Sequence, residues 1–423
     1  MCAIETLGES LPDLIFEAVA DPSQNGHLRL HTWDSRRHST TALRLEHEGA
    51  SYVPMKLPSG LVKFVRFAPP SSAFGSTSRL VCALRDFLSQ YSLLQPELVD
   101  LLTAFAMATW FCDCMTMAPI LYLFGPDDSI STVLRLLSCI CRRAVLVGDV
   151  ENAGFASLPP GLGATLLLNQ NHLGRRVERT LLASTRRHFH VVRGNGPLDL
   201  YGARAFSCET IAREGPGFKV CLSPAQNQMP VLTDSEEHAI AGKLQSMLLR
   251  FRIVQYRAVR DAKVDCMALI PAMRQQAWTW LAPISDCPEL SKRVFAEILR
   301  QSREEAGCRL IDPKCVVIEG GLFYCHKRDV AHFFVGELSE KANLLLKARH
   351  EEPILSAKGV GSILRELGLH GERVAEGYKI VLTDGVRQHI HRLAQAFQVA
   401  SLQDAVRRCV FCSGERAASK RIQ

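Results

Sequence analysis

The 423-residue sequence contains no internal repeat, no low-complexity tract, no G-x-S-x-G and no H-E-x-x-H. Those absences set aside repeat architectures, the nucleophile elbow and the zincin helix. A strong charge of one sign is also missing. Lys plus Arg is 50 and Asp plus Glu 43, a net +7, so only local clustering could argue for a polyanionic partner. With 47% hydrophobic and 22% charged residues, wholesale disorder, collagen-like and coiled-coil architectures are excluded. The length suggests about three domains and a core large enough to need no staples. The 15 cysteines are odd in number and scattered through apolar segments, unlike a small, evenly paired secreted scaffold. The start, MCAIETLGESLPDLIFEAVA, has acids where a signal peptide needs positive charge. A cytoplasmic protein with reduced thiols is expected.

One run is long enough to cross a bilayer, Leu101 to Phe124. Asp113 would lie near mid-membrane, Pro119 breaks the helix, and neither end has a Lys/Arg cluster. The expectation is a buried helix to about Met115, then a buried strand over Ile120 to Phe124, with no membrane partner.

Six segments are expected. Residues 1–68 read as a small α+β unit, an apolar opening helix followed by alternating strand segments such as HLRLHTW and LVKFVRFA. Residues 69–78 are Pro-, Gly- and Ser-rich and read as a linker. From 79 to 261 helix and strand alternate, with ILYLFG, AVLVGD, ATLLLNQ and FHVVRG as strands, which suggests a parallel sheet faced by helices. Residues 262–350 read as helical, 351–400 as a separate small domain, and 401–423 as a tail.

Chemistry concentrates after the first of those strands. Ile120-Leu-Tyr-Leu-Phe-Gly-Pro-Asp-Asp-Ser-Ile-Ser-Thr is strand, turn and helix start, the setting of the phosphate loop G-x-x-x-x-G-K-[ST]. Gly125 matches its first glycine and Thr132 its hydroxyl, with Ser129 in the same turn. Ile130 stands where the second glycine belongs and Ser131 where the lysine belongs. A β-branched side chain hinders close backbone approach, and serine brings no charge to phosphates. Asp127 and Asp128 oppose anion binding at the helix start. The later strand Ala164-Thr-Leu-Leu-Leu ends in Asn169 and Gln170, neutral amides where such ATPases carry an acidic pair. Amides neither supply the anionic oxygens a hard cation prefers nor act as a general base.

From about Arg79 to Asp261 the chain resembles the P-loop ATPase domain of helicase-like proteins encoded beside primases in bacterial mobile elements. These belong to the broad AAA+ and viral-type helicase group. The resemblance rests on AFAMATWFCDCMTMAPILYLFGP, VLRLLSCICRR with VLVGDV, and TLLLNQ. It implies ATP-driven work on nucleic acid. The residues named above point instead to a pseudo-ATPase without a cofactor, Mg-ATP entering only if Thr132 and an arginine replace the missing lysine.

The stretch Gly174 to Arg193 holds six arginines against one acid. By the resemblance, Arg175, Arg176, Arg186 and Arg187 are candidates for nucleic-acid phosphates. Arg250, Arg252, Arg257 and Arg260 follow the same logic with less support.

Near the other end, Ser356 to Gly368 is a capped amphipathic helix. Glu372 to Leu382 reads as two strands turning at Glu376-Gly377, and Thr383-Asp384 caps a closing helix. The order resembles a winged helix-turn-helix, which would place Lys358 and Arg365 on the recognition helix and Arg373 and Lys379 on the wing. Cys409-Val-Phe-Cys412 has zinc half-site spacing, but no second pair follows, and the nearest upstream candidates, His389 and His391, would have to complete it. No metal is expected. Cys112/Cys114 and Cys139/Cys141 read as buried thiols, and adjacent Cys325 and His326 do not face each other as a dyad should.

The resulting expectation is an α/β protein. It has a P-loop-like parallel-sheet core, a small N-terminal β-rich unit, and a C-terminal helical plus winged-helix region. It is read as a catalytically inactive, helicase-like DNA-binding protein, its other implied partners a homo-oligomer or an active helicase-like relative. The competing readings are an atypical ATPase active on nucleic acid and a non-enzymatic interaction scaffold.

Overall fold

The apolar opening segment, expected as a helix, forms strands β1 (Ile4–Thr6), β2 (Gly8–Ser10) and β3 (Leu14–Ala20). In β3, LIFEAVA, Ile15 and Val19 join the main helical core while Leu14 and Phe16 pack with Leu30. A strand covered on both faces loses the alternation that identifies one in sequence. This computed structural model describes residues 3–21, 27–34, 39–170, 173–193, 196–208, 216–224, 230–327, 329–399, 409 and 411–412. The remaining N-terminal elements are β4 (Leu28–Asp34), β5 (Ser39–Ala42), β6 (Leu45–His47), β7 (Ala50–Pro54) and α1 (Ser59–Phe64). They complete two sheets of order β2-β3-β4-β5 and β1-β7-β6. The Pro/Gly/Ser stretch that follows is anchored. Ser72 N–H donates to the Ser246 carbonyl at 3.1 Å, and the Ser246 hydroxyl donates to the Pro70 carbonyl at 2.6 Å.

Next come α2 (Thr77–Tyr91), capped by Ser76, and α3 (Pro96–Thr109). Helix α3 is buried along nearly its whole length, its Asp100 paired with Arg85 and Arg293, which explains its membrane-like composition. Among the described residues no helix is long and apolar enough to cross a membrane. The chain continues through β8 (Ile120–Phe124), α4 (Asp127–Ile140), β9 (Ala144–Val147), α5 (Asn152–Ala156), β10 (Thr165–Leu168) and α6 (Arg175–Ala183). Then follow β11 (Val191–Arg193), β12 (Gly196–Leu198), β13 (Arg204–Cys208) and β14 (Phe218–Cys221). Helices α7 (Asp234–Arg260), α8 (Pro271–Leu281) and α9 (Pro288–Ile311) follow.

Five strands form one parallel sheet of order β14-β8-β13-β10-β9. ILYLFG, AVLVGD and ATLLLNQ supply three of them. FHVVRG does not, because β11 pairs with β12 as a separate antiparallel hairpin. The strand inserted between β8 and β10 is RAFSC. Its Arg204 is buried, and its guanidinium donates to the Ala164, Ala203 and Leu200 carbonyls and to the Ser184 hydroxyl. A charged residue satisfied in that way hides a buried strand from any search for apolar runs.

Between the N-terminal strands and the helices lies a buried ionic cluster. Glu17, 2% exposed, accepts from Arg142 Nε at 2.9 Å and Nη2 at 2.8 Å, and from Arg143 Nη2 at 2.5 Å. Arg252 Nε lies 3.4 Å away and the same guanidinium clasps Asp113, at 2.7 and 2.6 Å. Burial alone would raise both carboxyl pKa values, but the arginines outweigh it and hold both below the ordinary range.

The chain divides into two units, residues 1–302 and 303–423. The second contains α10 (Pro313–His326), β15 (His332–Phe334), α11 (Val335–Ala348), α12 (Ala357–Glu366), β16 (Glu372–Val374), β17 (Gly377–Val381) and α13 (Asp384–Ala396). Asp312, Ser356 and Thr383 cap α10, α12 and α13 through their side chains. The strands form an antiparallel sheet of order β15-β17-β16. Val316, Phe333, Leu338, Val360 and Ile390 share one core, so α10, β15 and α11 belong with the segment after residue 351.

Candidate functional site

The chain leaves β8 for β9 at one edge of the sheet, returns through β10 and β13, and passes to β14 on the other side of β8. The carboxyl end of β8 is therefore a topological switch point, where open parallel sheets place their ligand crevice. Gly125 sits there with φ +142°, and a Cβ on it would lie 2.6 Å from the Leu222 carbonyl oxygen. The glycine is thus required by the chain leaving β14, whose Leu222 N–H bonds the Phe124 carbonyl at 2.7 Å.

Helix α4 begins at Asp127, with Pro126 at its N-cap. Ser129, Ile130, Ser131 and Thr132 are all inside the helix, and no extended loop separates Gly125 from it. The Ser129 hydroxyl donates to the Ser223 carbonyl at 2.9 Å, and Thr132 Oγ1 donates back to the Asp128 carbonyl at 2.8 Å. Ile130 is fully buried in the main core. Across the sheet, Asn169 Nδ2 donates to Ser131 Oγ at 2.9 Å. Gln170 turns away, accepting from Val150 N at 2.9 Å and donating to Asp149 at 2.6 Å. The structure thus joins Ser131 and Asn169, residues in the lysine and acid positions of the expected pattern, by a neutral hydrogen bond. Both acids of the first helical turn, Asp127 and Asp128, are exposed beside them.

The four arginines expected to act together are separated. Arg175 and Arg176 are exposed at the start of α6, on the carboxyl side of β10. Arg186 and Arg187 are exposed past its far end, beside the residues that precede β8. There Arg187 N–H bonds the Thr116 carbonyl at 2.9 Å, and Ala118 N–H bonds the Thr185 carbonyl at 2.7 Å. Arg186 lies over Phe189, 5.8 Å from the ring centre, and Phe189 and Val192 are 54% and 75% exposed. Of the secondary arginines, Arg252 is fully buried in the ionic cluster, Arg250 stacks on Trp33 at 3.3 Å and Arg260 pairs with Asp261 at 2.9 Å. Arg252 is a core residue; its charge is consumed internally.

In the second unit Lys358 and Arg365 are exposed on one face of α12. Arg373 is exposed on β16 opposite Tyr378, and the half-buried Lys379 stands opposite Glu372. Four further side chains converge here in a way the sequence reading did not assemble. His326 ends α10, His391 lies in α13, and Cys409 and Cys412 follow. Their ligand atoms all lie within 4.8 Å of one another. His389 is not among them, since its Nε2 faces the Leu367 carbonyl at 2.8 Å. The Cys409/Cys412 spacing was visible in sequence, but His326 lies 86 residues before Cys412, a separation no local motif reports.

No protein-family profile matches the chain, and no curated protein does. Among solved structures, the A form apo structure of the NrS-1 C-terminal region, residues 305–718, matches with 11% identity and a TM-score of 0.32, covering 87% of this chain and 96% of that one. A second A form apo structure of that region matches at 12% identity and 0.31, covering 87% and 97%.

Proposed function

We propose that the protein is a non-hydrolysing, DNA-associated scaffold, in which an ATPase-like α/β unit has lost its phosphate cradle and a winged-helix-like second unit contacts DNA. The observation that carries the first half is the start of α4 at Asp127, two residues past Gly125. A phosphate loop wraps its backbone N–H groups around the anion before the helix begins. Here the N–H groups from Ile130 onward are taken up by α4, beginning with Ile130 N–H to the Pro126 carbonyl at 3.0 Å, the adjoining polar side chains satisfy one another, and Asp127 and Asp128 occupy the first turn. For the second half, the order helix, strand, helix, helix, ribbon supports a winged-helix reading. Lys358, Arg365 and Arg373 lie exposed on the helix and ribbon that such a module turns toward DNA. A P-loop identity for the sheet rests on the position of β8, α4 and β10 about the switch point.

The test is fluorescence anisotropy of the full chain on labelled duplex at several salt concentrations. Salt-sensitive binding is expected, with affinity and salt slope reduced in Lys358→Glu/Arg365→Glu/Arg373→Glu; each lost phosphate contact lowers the slope by about 1. Binding unaffected by that variant but lost in Arg186→Glu/Arg187→Glu moves the contact to the first unit. No binding at low salt refutes a DNA role.

A further inference from the structure

We infer that the second unit contains a structural zinc site formed by His326, His391, Cys409 and Cys412. Two imidazoles and two thiols are the donor set zinc prefers in closed, four-coordinate sites. The distances fit one ion. His326 Nε2 and His391 Nε2 are 3.2 Å apart, Cys409 Sγ is 3.3 Å from His391 Nε2, and Cys412 Sγ is 3.4 Å from His326 Nε2. A tetrahedral zinc with ordinary bond lengths separates two nitrogens by about 3.3 Å and nitrogen from sulfur by about 3.6 Å.

Hydrogen bonding selects the ligating atoms. His391 Nδ1 faces the Arg387 carbonyl at 2.7 Å. A carbonyl only accepts, so the ring proton is on Nδ1 and the Nε2 lone pair points into the cluster. There it meets both the second imidazole nitrogen and the Cys409 sulfur. One lone pair accepts one proton, whereas a single cation is bound by all four donor atoms at once. Arg387 also donates from Nη1 to the Cys325 carbonyl and from Nη2 to the Val330 carbonyl. The same residue thereby fixes His391 and holds the end of α10 that carries His326. The Phe411 ring, between the two cysteines in sequence, packs 5.4 Å from the His391 ring. His391 is 3% exposed, so water has little access to that ligand.

Zinc binding would release one proton from each thiol, leaving a site of zero net charge from Zn²⁺, two thiolates and two neutral imidazoles. The ion would pin Cys409 and Cys412 to α10 and α13.

The test is metal analysis of the full chain after purification without added metal, with Co²⁺ titration of the chelated protein. One zinc per chain is expected, as are the visible bands of tetrahedral cobalt with a thiolate charge-transfer band. His326→Ala and Cys412→Ser should each lower zinc affinity 100-fold or more. His389→Ala, next to the cluster in sequence but facing away, should keep one zinc and serves as the folding control. In the wild-type chain, which folds without any substitution, an absence of retained zinc together with a purely octahedral cobalt spectrum overturns the proposal. So does a loss of zinc in His389→Ala equal to that in His326→Ala.

Discussion

The substitution Glu17→Gln probes the buried ionic cluster with one atom changed. Both carboxylate oxygens accept from guanidinium groups, Oε1 from Arg142 and Arg143 and Oε2 from Arg142. Either orientation of a glutamine amide turns an N–H₂ toward a guanidinium N–H, and three buried arginines lose the charge they share. Removing one partner of a buried ion pair costs about 3–5 kcal/mol, because the remaining charge stays buried. In a unit of this size that corresponds to a midpoint lowered by roughly 6–10 °C, taking about 2 °C per kcal/mol. Urea unfolding followed by tryptophan fluorescence reads the first unit alone, since Trp33, Trp110, Trp278 and Trp280 all lie within it. The pH dependence has a definite sign. The folded Glu17 pKa is lowered from 4.5, so its contribution is complete above the unfolded value and is lost as pH falls through the folded one. Glu17→Gln should therefore be destabilised at neutral pH and flatter than wild type below pH 4.5. A change under 1 kcal/mol at pH 7, or an unaltered acid limb, would show that the arginines do not depend on this carboxylate.

His31 is 3% exposed between the Thr41 and Ser71 hydroxyls, at 3.0 and 2.7 Å, and burial, aided by Arg250, lowers its pKa to about 4. Its neutral form stabilises the fold above pH 6.5 and that contribution fades toward pH 4; His31→Gln should remove a pH-dependent loss of about 2–3 kcal/mol, measured by unfolding at pH 7 and 4.5. Gly125→Ala should destabilise the first unit by roughly 1–3 kcal/mol through positive φ and the Leu222 carbonyl, visible in the same assay. Ser131→Lys/Asn169→Asp restores the lysine and the first acid of the missing pair but not the loop, so isothermal titration should detect no Mg-ATP binding at millimolar concentration; tight binding would show that α4 can unwind at its start.

Much of the sheet was legible because β8 and β10 are short apolar runs of the kind that parallel strands buried on both faces require, and the edge strand β9 is equally apolar. The helix of Val133, Leu136, Leu137 and Ile140 was equally plain, and α4 buries all four. What escaped detection followed from burial of polar groups. Arg204 disguised β13, Glu17 within the doubly covered LIFEAVA left β3 without alternation, and Arg252, grouped with the arginines that could contact phosphate, is buried. Glu17 and Arg252 are satisfied by residues more than 100 positions away, and Arg204 by a mixture of neighbouring and distant carbonyls. The Cys/His cluster escaped for the related reason that His326 and His391 are brought together by packing of α10 against α13 rather than by spacing.

Glu17 also bears on the order in which the chain can fold. Its first guanidinium partner lies 125 positions downstream and Arg252 later still. At synthesis rates of about 5–20 residues per second, β3 waits roughly 6–25 s for Arg142 and longer for the full set. During that interval the Leu14 and Phe16 face can already pack with Leu30, but the opposite face, with Ile15, Val19 and the naked Glu17 carboxylate, has no partner. The strand made early is thus completed late, the last of its guanidinium partners arriving only with Arg252 of α7.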